Sequence, residues 1–148
     1  MNNIIESHPF EPFLPEGAKI LMLGTFPPAE HRWCMPFYYP NFQNDMWRIM
    51  GILFFDDKEH FIVKGEKRFN QQMIESFLRE KGIAMYDTAT KVVRTKNTAS
   101  AYSKYYIDVL FLAYLSAVEH AGIELGIGFN AWKFKYLLVL KVLGFLIH

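Results

Sequence analysis

Two groups of polar side chains each follow an apolar stretch that has the composition of a buried strand. The first group contains two amides, Asn41 and Asn44, and an acid, Asp45. Six aromatic residues accompany them in the same stretch: Phe26, Trp33, Phe37, Tyr38, Tyr39 and Phe42. Flat rings beside amide groups suit a flat ligand that forms hydrogen bonds, such as a nucleobase.

The second group lies in residues 87–100, which begin with Asp87 and are rich in small hydroxyl residues. Three cations, Lys91, Arg94 and Lys96, are spaced along this segment. Hydroxyl groups and spaced cations beyond a strand are suited to phosphate contacts. A solvated loop is the alternative interpretation of the same residues.

The two apolar stretches, residues 18–23 and 83–86, predict strands that are covered on both faces. Gly24 follows the first strand and permits a tight turn or a close approach to the backbone. Asp87 stands at the end of the second. In α/β proteins, a buried strand followed by a long loop and a helix builds a site at the carboxyl end of the sheet.

Helical periodicity predicts helices at residues 43–55 and 70–81. Asn44 and Asp45 are candidate caps for the first helix, and capping is the alternative to a chemical role for either residue. Asn70 is a candidate cap for the second helix and Gly82 a candidate stop. Residues 56–68 are charged and predict a loop or a short hairpin.

The first 17 residues predict an extended lead-in, because Pro9, Pro12 and Pro15 restrict the backbone and oppose ladder pairing. Its apolar side chains are expected to pack on the body of the domain. The sequence His8-Pro9-Phe10 either lines a site or, as we favour, belongs to a covering segment.

Composition sets broad limits on the class of protein. A chain of 148 residues predicts one domain, and the high aromatic content excludes a disordered chain. The net charge of +1 means that any DNA-binding surface would be a local patch. The single cysteine, Cys34, excludes an internal disulfide. The N-terminus does not resemble a secretory signal. A reducing, cytoplasmic setting is therefore expected.

The character of the sequence changes in residues 101–148, which form an atypical apolar tail of the single domain at 1–148. Residues 107–118 predict a buried helix, and residues 136–147 predict a helix or a strand. The apolar runs of this tail are interrupted by the charged residues Asp108, Lys133, Lys135 and Lys141. No run reaches the ~20 apolar residues that a membrane span requires, so no transmembrane helix is predicted.

Three motifs, LGTFPP, FYYPNFQNDMW and GIAMYDTATKVVRTKNTAS, resemble the uracil-DNA glycosylase superfamily. They are most similar to its hypoxanthine (deoxyinosine) and mismatch-specific uracil glycosylase branch. The resemblance covers residues 7–100. It implies an α/β fold with three α/β/α layers around a mostly parallel central sheet. It also implies a monofunctional DNA repair enzyme that hydrolyses the N-glycosidic bond of uracil or hypoxanthine flipped out of DNA.

The resemblance also implies roles for individual residues. Phe26 occupies the slot in which many members carry a water-positioning asparagine or aspartate. The hypoxanthine branch instead uses a downstream asparagine, which Asn44 matches within the pattern Phe37, Tyr38, Tyr39, Asn44 and Trp47. Asn44 is therefore the expected catalytic residue.

Two further sets of residues follow from the matched motifs. The expected base-binding residues are Phe26, Tyr38, Tyr39 and Asp87. The expected DNA or phosphate contacts are Gly24, Thr25, Pro27, Lys91 and Arg94. The implied partner is DNA that contains a deaminated base, with no metal, no organic cofactor, no membrane and no obligate protein partner.

The C-terminal third departs from the superfamily pattern. Members carry a late loop of Ser/Pro or His/Ser/Pro type that enters DNA, and no such loop follows Ser100. We interpret the change near Ala101 as a truncated or altered C-terminal reading frame, in which part of the sheet is lost. Sequencing the source locus tests this: an uninterrupted frame with no family-like segment downstream contradicts it.

Other functions remain open from the sequence alone. The first is a non-catalytic nucleic-acid or nucleotide-binding domain of the same fold, which Phe26 in the water-positioning slot and the missing late loop favour. A different α/β hydrolase is less well supported, because no Gly-x-Ser-x-Gly motif occurs. His31 and Cys34 lie close together in the sequence, and such a Cys/His pair is more often incidental than catalytic. The set His8, His31, Cys34 and His60 has no metal-ligand spacing.

Overall fold

Two three-stranded sheets, one parallel and one antiparallel, organise the described chain. The computed structural model describes residues 4–94 and the backbone of residues 102–106 and 124–127. In chain order its elements are β1 (Ile5–Ser7), β2 (Ile20–Gly24), a 3-10 turn (Glu30–Arg32), α1 (Met46–Phe55), α2 (Gln71–Lys81), β3 (Ile83–Asp87), β4 (Lys91–Arg94), β5 (Tyr102–Tyr106) and β6 (Glu124–Ile127).

The parallel sheet has the strand order β3-β2-β6. All of β2 is buried, and β3 is buried at four of its five residues. This burial explains their continuous apolar sequences, because a strand covered on both faces has no solvent side for polar residues. The strands predicted at 18–23 and 83–86 are thus confirmed to within two residues at each end. The register pairs Ile20 with Ile83 and Gly24 with Asp87, so both strands end at the same level.

The antiparallel sheet has the order β1-β4-β5 and corrects two predictions. Residues 91–94 form a strand rather than a loop, because Val92 and Val93 are β-branched and buried. The lead-in is not wholly unpaired, since Ile5–Ser7 pairs with β4. The prolines that oppose ladder pairing begin at Pro9, just beyond this strand.

Helix α2 follows its predicted signals closely. The Asn70 side chain accepts a hydrogen bond from the Met73 backbone N–H at 3.2 Å. Gly82 ends the helix in the left-handed conformation at φ 64°, which glycine adopts without steric cost. Ile74, Phe77 and Leu78 form its buried face.

Helix α1 begins three residues later than predicted, at Met46. Two local turns delay it. The Asn41 side chain accepts from the Gln43 backbone N–H at 3.0 Å, and the Asn44 side chain accepts from the Met46 N–H at 2.9 Å. Such side-chain bonds offer the backbone an alternative to the helical pattern. Asp45 occupies the N-cap position but makes no side-chain cap bond.

The main hydrophobic core joins both helices to the parallel sheet and to the loop between them. It contains Met22 and Met85 from the strands, Trp47 and Met50 from α1, and Ile74, Phe77 and Leu78 from α2, with Phe61 and Phe69 from the loop. The loop at 56–70 closes with a bridge between Ile62 and Phe69. These contacts fix the strand ends relative to the aromatic loop that precedes α1.

Two strands, β5 and β6, lie within the segment that was predicted to be an apolar tail. β6 pairs in parallel with β2 from Ile20↔Glu124 to Leu23↔Ile127. It supplies the third strand of the parallel sheet. The helices predicted at 107–118 and 136–147 lie outside the described residues. No helix among the residues described is both long and apolar enough to cross a membrane.

Candidate active site

The candidate site begins with the adjacent ends of β2 and β3, where Gly24 lies beside Asp87. Backbone pairing continues beyond the strands, because Thr88 N–H donates to the Gly24 carbonyl at 3.0 Å and Ala89 N–H donates to the Thr25 carbonyl at 3.1 Å. A Cβ atom built on Gly24 would overlap Asp87 Oδ1. A side chain at position 24 would therefore force the Asp87 carboxylate or the strand to shift.

His8 holds the other oxygen of the same carboxylate. Its Nε2 lies 2.9 Å from Asp87 Oδ2, and the two side chains are 3% and 10% exposed. Its Nδ1 lies 2.8 Å from the Phe10 carbonyl oxygen and 3.1 Å from the Phe10 nitrogen. The covering segment was the favoured prediction for His8. No local sequence pattern could identify Asp87 as its partner, because the two residues are 79 positions apart.

Aromatic rings enclose His8. The His8 ring centroid lies 5.0 Å from Tyr86, 5.2 Å from Phe26 and 6.2 Å from Tyr38. Phe26 and Tyr38 are both buried, and Tyr38 OH donates to the Glu11 carbonyl at 2.9 Å. The structure therefore brings these two predicted base-binding residues to the Asp87 site through their packing on His8.

Tyr39 approaches the site from the aromatic loop. Its backbone is in the left-handed region at φ 52°, which is uncommon for a residue other than glycine and is often found at functional sites. Its hydroxyl oxygen lies 3.6 Å from the position of a Cβ on Gly24, close to Asp87. Trp47 anchors this loop, because its indole N–H donates to the Tyr38 carbonyl at 3.0 Å.

Burial and the nearby Asp87 carboxylate raise the pKa of both Tyr38 and Tyr39 above the ordinary value of 10.0. Burial is the larger cause in each case, because a phenolate loses its hydration there. Both hydroxyl groups therefore remain protonated near neutral pH. The Tyr38 O–H donates to the Glu11 carbonyl, so Tyr39 is the phenol that can donate a hydrogen bond beside the Asp87 carboxylate.

Alkaline titration should find both phenols protonated in the folded protein above pH 10.0. A raised folded-state pKa also means that the unfolded chain releases these protons first, so stability falls as pH rises past that value. The test is near-ultraviolet phenolate absorbance of wild type, Tyr38→Phe and Tyr39→Phe. Folded samples should give equal signals, and each variant should give less signal than wild type only in denaturant. A smaller signal from a folded variant would contradict the assignment.

Asn44, the predicted catalytic residue, lies at the start of α1. Its side-chain oxygen accepts from Met46 N–H, and its backbone carbonyl accepts from Arg48 Nη1 at 3.0 Å. Within residues 4–94, Asn44 forms no hydrogen bond to Gly24, His8 or Asp87. The contact with Met46 leaves the Asn44 NH₂ group as the part of the side chain with donors to offer a ligand.

The predicted phosphate contacts have different surroundings. Arg94 forms an ion pair with Glu6, with Nε 2.8 Å from both carboxylate oxygens, and its Nη2 lies 3.3 Å from the Pro27 carbonyl. This arrangement ties β1 and β4 to the loop after β2. Lys91 is exposed on β4. Thr25 is partly buried and Pro27 is buried in the loop directly after Gly24.

Candidate metal ligands do not converge in the part of the chain that the structure describes. No group of three or more His, Cys, Asp or Glu side chains there could hold a metal ion. His8 is instead engaged by Asp87, and His60 stacks on Phe55 with ring centroids 3.6 Å apart.

Comparison with known proteins identifies the fold. No protein-family model and no curated protein matches the chain. A solution NMR structure of a protein from Methanosarcina acetivorans, provisionally assigned as a uracil DNA glycosylase, is similar with a TM-score of 0.55 and 23% identity. The match covers 95% of this chain and 80% of that one. The protein has a uracil-DNA-glycosylase-like fold. In this glycosylase-like fold, Gly24 and Asp87 lie together at the carboxyl ends of two parallel strands.

Proposed function

We propose that the protein is a monofunctional DNA glycosylase that hydrolyses the N-glycosidic bond of uracil or hypoxanthine flipped out of DNA. The observation that carries the proposal is the Asp87 carboxylate, held by His8 and lying against Gly24 at a strand end in a glycosylase-like fold. The site is lined by aromatic residues, which suits a flat base. A base inside a duplex must leave the stack to reach such a site.

Hydrogen-bond complementarity would distinguish a deaminated base from the cytosine or adenine from which it derives. An ionised carboxylate only accepts hydrogen bonds. The ring N–H of uracil or hypoxanthine donates one, whereas cytosine and adenine present a lone pair at the corresponding ring nitrogen. Asp87 would thus accept from the polar edge of a deaminated base, while Phe26, Tyr38 or Tyr39 contacts its face. A site that leaves a buried polar group unpaired rejects the wrong base.

Catalysis requires a positioned water and fixed dipoles. As the glycosidic bond breaks, the sugar becomes cationic and the base anionic, so preorganised polar groups lower the barrier more than a strong base would. Asn44 would orient the attacking water. Gly24, Thr25, Pro27, Lys91 and Arg94 would contact the DNA backbone. No metal, organic cofactor or amine nucleophile is required, and the product is an abasic site.

The finer assignments of the sequence analysis belong to the same proposal. They are the hypoxanthine and mismatch-specific uracil branch, a cytoplasmic location, and three α/β/α layers around a mostly parallel central sheet. The parallel order β3-β2-β6 supports the last of these. The separate antiparallel sheet β1-β4-β5 is an addition that the motif resemblance did not suggest.

A glycosylase assay tests the proposal directly. Purified protein is incubated with duplex and single-stranded oligonucleotides that carry one uracil, one hypoxanthine or only normal bases. Alkali then cleaves the abasic sites. Cleavage confined to the strands with a deaminated base is expected. A folded protein that cleaves none of them at enzyme excess would contradict the proposal.

Asp87→Asn should change the preference for uracil over hypoxanthine by roughly tenfold or more, because an amide both donates and accepts at the base edge. Binding to undamaged DNA should change little, since base-edge contacts do not set backbone affinity. The measurements are kcat/KM for each substrate and Kd for an undamaged duplex. An unchanged ratio of the two kcat/KM values would remove Asp87 from the base edge.

A non-catalytic nucleic-acid-binding domain is the second candidate. Two observations favour it: Phe26 is buried at the position of the usual water-positioning residue, and the Asn44 oxygen is occupied by the Met46 N–H. Turnover separates the candidates. A binding domain would retain oligonucleotides that carry uracil or hypoxanthine without producing abasic sites.

A further inference from the structure

We propose that His8 is a positioning residue, which fixes the Asp87 carboxylate in one orientation for the substrate; its catalytic consequence rests on the proposed function. The two side chains are joined by the 2.9 Å contact between His8 Nε2 and Asp87 Oδ2. They come from the lead-in segment and from the end of β3. From the sequence, His8-Pro9-Phe10 was expected either to line a site or, as favoured, to belong to a covering segment, and no positioning of Asp87 was predicted.

Both ring nitrogens of His8 are already engaged within the protein. Asp87 Oδ2 is an acceptor, so Nε2–H donates to it. Nδ1 then accepts from Phe10 N–H when the ring is neutral, or donates to the Phe10 carbonyl when the ring is charged. The contact with Asp87 is preserved in either state. Because no nitrogen remains for a substrate, His8 acts through Asp87 rather than as a general base.

The His8 ring is held rigidly enough to position its partner. Its backbone N–H donates to the Thr90 carbonyl at 2.8 Å, which fixes the segment beside β4. The rings of Phe26 and Tyr86 pack against the imidazole at centroid distances of 5.2 and 5.0 Å. A functional group is most precise when its supporting residue is itself locked by packing and hydrogen bonds.

Gly24 confines the same carboxylate from the opposite side. His8 binds Oδ2, whereas Oδ1 lies against the Gly24 backbone near the Tyr39 hydroxyl. Oδ1 is therefore the carboxylate oxygen that His8 does not engage, and we infer that a flipped base would bind to it. Loss of the His8 bond would free the Asp87 side chain to rotate and would remove that orientation.

Two His8 variants separate the hydrogen bond from ring packing. His8→Phe keeps an aromatic ring but removes both nitrogens, whereas His8→Gln keeps an N–H donor that can reach Asp87. We expect His8→Phe to lower kcat on the better substrate by roughly 10- to 100-fold, the scale of a misplaced reacting group, with KM nearly unchanged. His8→Gln should recover most of this loss. Equal kcat for the two variants, with both folded, would overturn the proposal.

A double-mutant cycle with Asp87→Asn tests whether His8 acts through that carboxylate. His8→Phe should have little additional effect in the Asp87→Asn background, since the oriented charge is already absent. A full additional loss of kcat in the double variant would show that His8 acts independently and would overturn the proposal.

An NMR measurement keeps this test separate from glycosylase turnover. In wild type, the His8 Nε2–H should exchange slowly with solvent, and its proton and nitrogen shifts should move in Asp87→Asn. Unchanged shifts would show that the hydrogen bond is absent in solution and would overturn the positioning role. Slow exchange and shifted signals in a protein without turnover would support the positioning of Asp87 and contradict only the proposed function.

Discussion

Asn44→Ala is expected to lower the glycosylase rate by roughly 10- to 1000-fold, the range for loss of a group that positions a reacting water. The amide matches the downstream asparagine of the motif pattern, and its NH₂ group has donors beyond the contact with Met46. The measurement is single-turnover kinetics on oligonucleotides that carry uracil or hypoxanthine. A variant with the wild-type rate would remove Asn44 from catalysis.

The turn before α1 complicates this variant, because Asn44→Ala also removes the acceptor for Met46 N–H. Loss of one such hydrogen bond costs about 1 kcal/mol of stability. Asn44→Ser retains an oxygen able to accept from Met46 N–H but removes the amide, so it should keep near-wild-type stability and still lose activity. Asn70→Ala is a stability control, since the Asn70 side chain accepts from Met73 N–H as the N-cap of α2.

The two controls give opposite patterns for a catalytic and a purely structural role of Asn44. If Asn44 positions water, Asn70→Ala loses about 1 kcal/mol of stability with full activity, and Asn44→Ser loses activity with little change in stability. If Asn44 serves only to hold the turn before α1, Asn44→Ser is active, and Asn44→Ala loses stability but keeps its activity, as Asn70→Ala does. Thermal unfolding and single-turnover rates of the three variants distinguish these cases.

Local signals were sufficient to predict the parallel strands β2 and β3 and helix α2. Burial on both faces explains the unbroken apolar runs of the strands, and Asn70 and Gly82 provide the physical start and stop of the helix. Each of these features depends on residues that are neighbours in the chain. The sequence therefore contained enough information to place Gly24 and Asp87 at strand ends.

Features that depend on distant residues were not predictable in the same way. β4 pairs with β1 and β5, and nothing in the local sequence of residues 91–94 identifies those partners. The His8–Asp87 contact joins residues 79 positions apart. The delayed start of α1 arises from side-chain bonds of Asn41 and Asn44 that compete with helical periodicity.

The same distinction between local and long-range determinants applies to the candidate site. The motif resemblance together with residue types allowed Phe26, Tyr38, Tyr39 and Asp87 to be selected in advance, and their role in binding a base stays a prediction. Their environments could not be predicted, because the burial of Phe26 and the pairing of Arg94 with Glu6 result from tertiary packing. Arg94 illustrates the difference: a cation in a sequence suggests a phosphate contact, whereas its ion pair also gives it a structural role.

Gly24→Ala is expected to destabilise the protein by roughly 1–3 kcal/mol and to lower the glycosylase rate by about 100-fold. The added methyl group would overlap Asp87 Oδ1, so the carboxylate must move or the strands must separate. Moving the carboxylate would also disturb its bond to His8 Nε2. Thermal unfolding and single-turnover kinetics measure the two effects. A variant with wild-type values of both would contradict the close packing of Gly24 and Asp87.

A second substitution identifies the cause of the expected loss. In an Asp87→Ala background the overlapping oxygen is absent, so Gly24→Ala should cost much less stability there than in wild type. The same cost in both backgrounds would mean that glycine is required for the β2 backbone and not for the carboxylate. Reduced cost would show that Gly24 makes room for Asp87. It would also explain how a sheet buried on both faces accommodates an acidic side chain at its edge: the missing Cβ and the His8 donor together give that carboxylate one position.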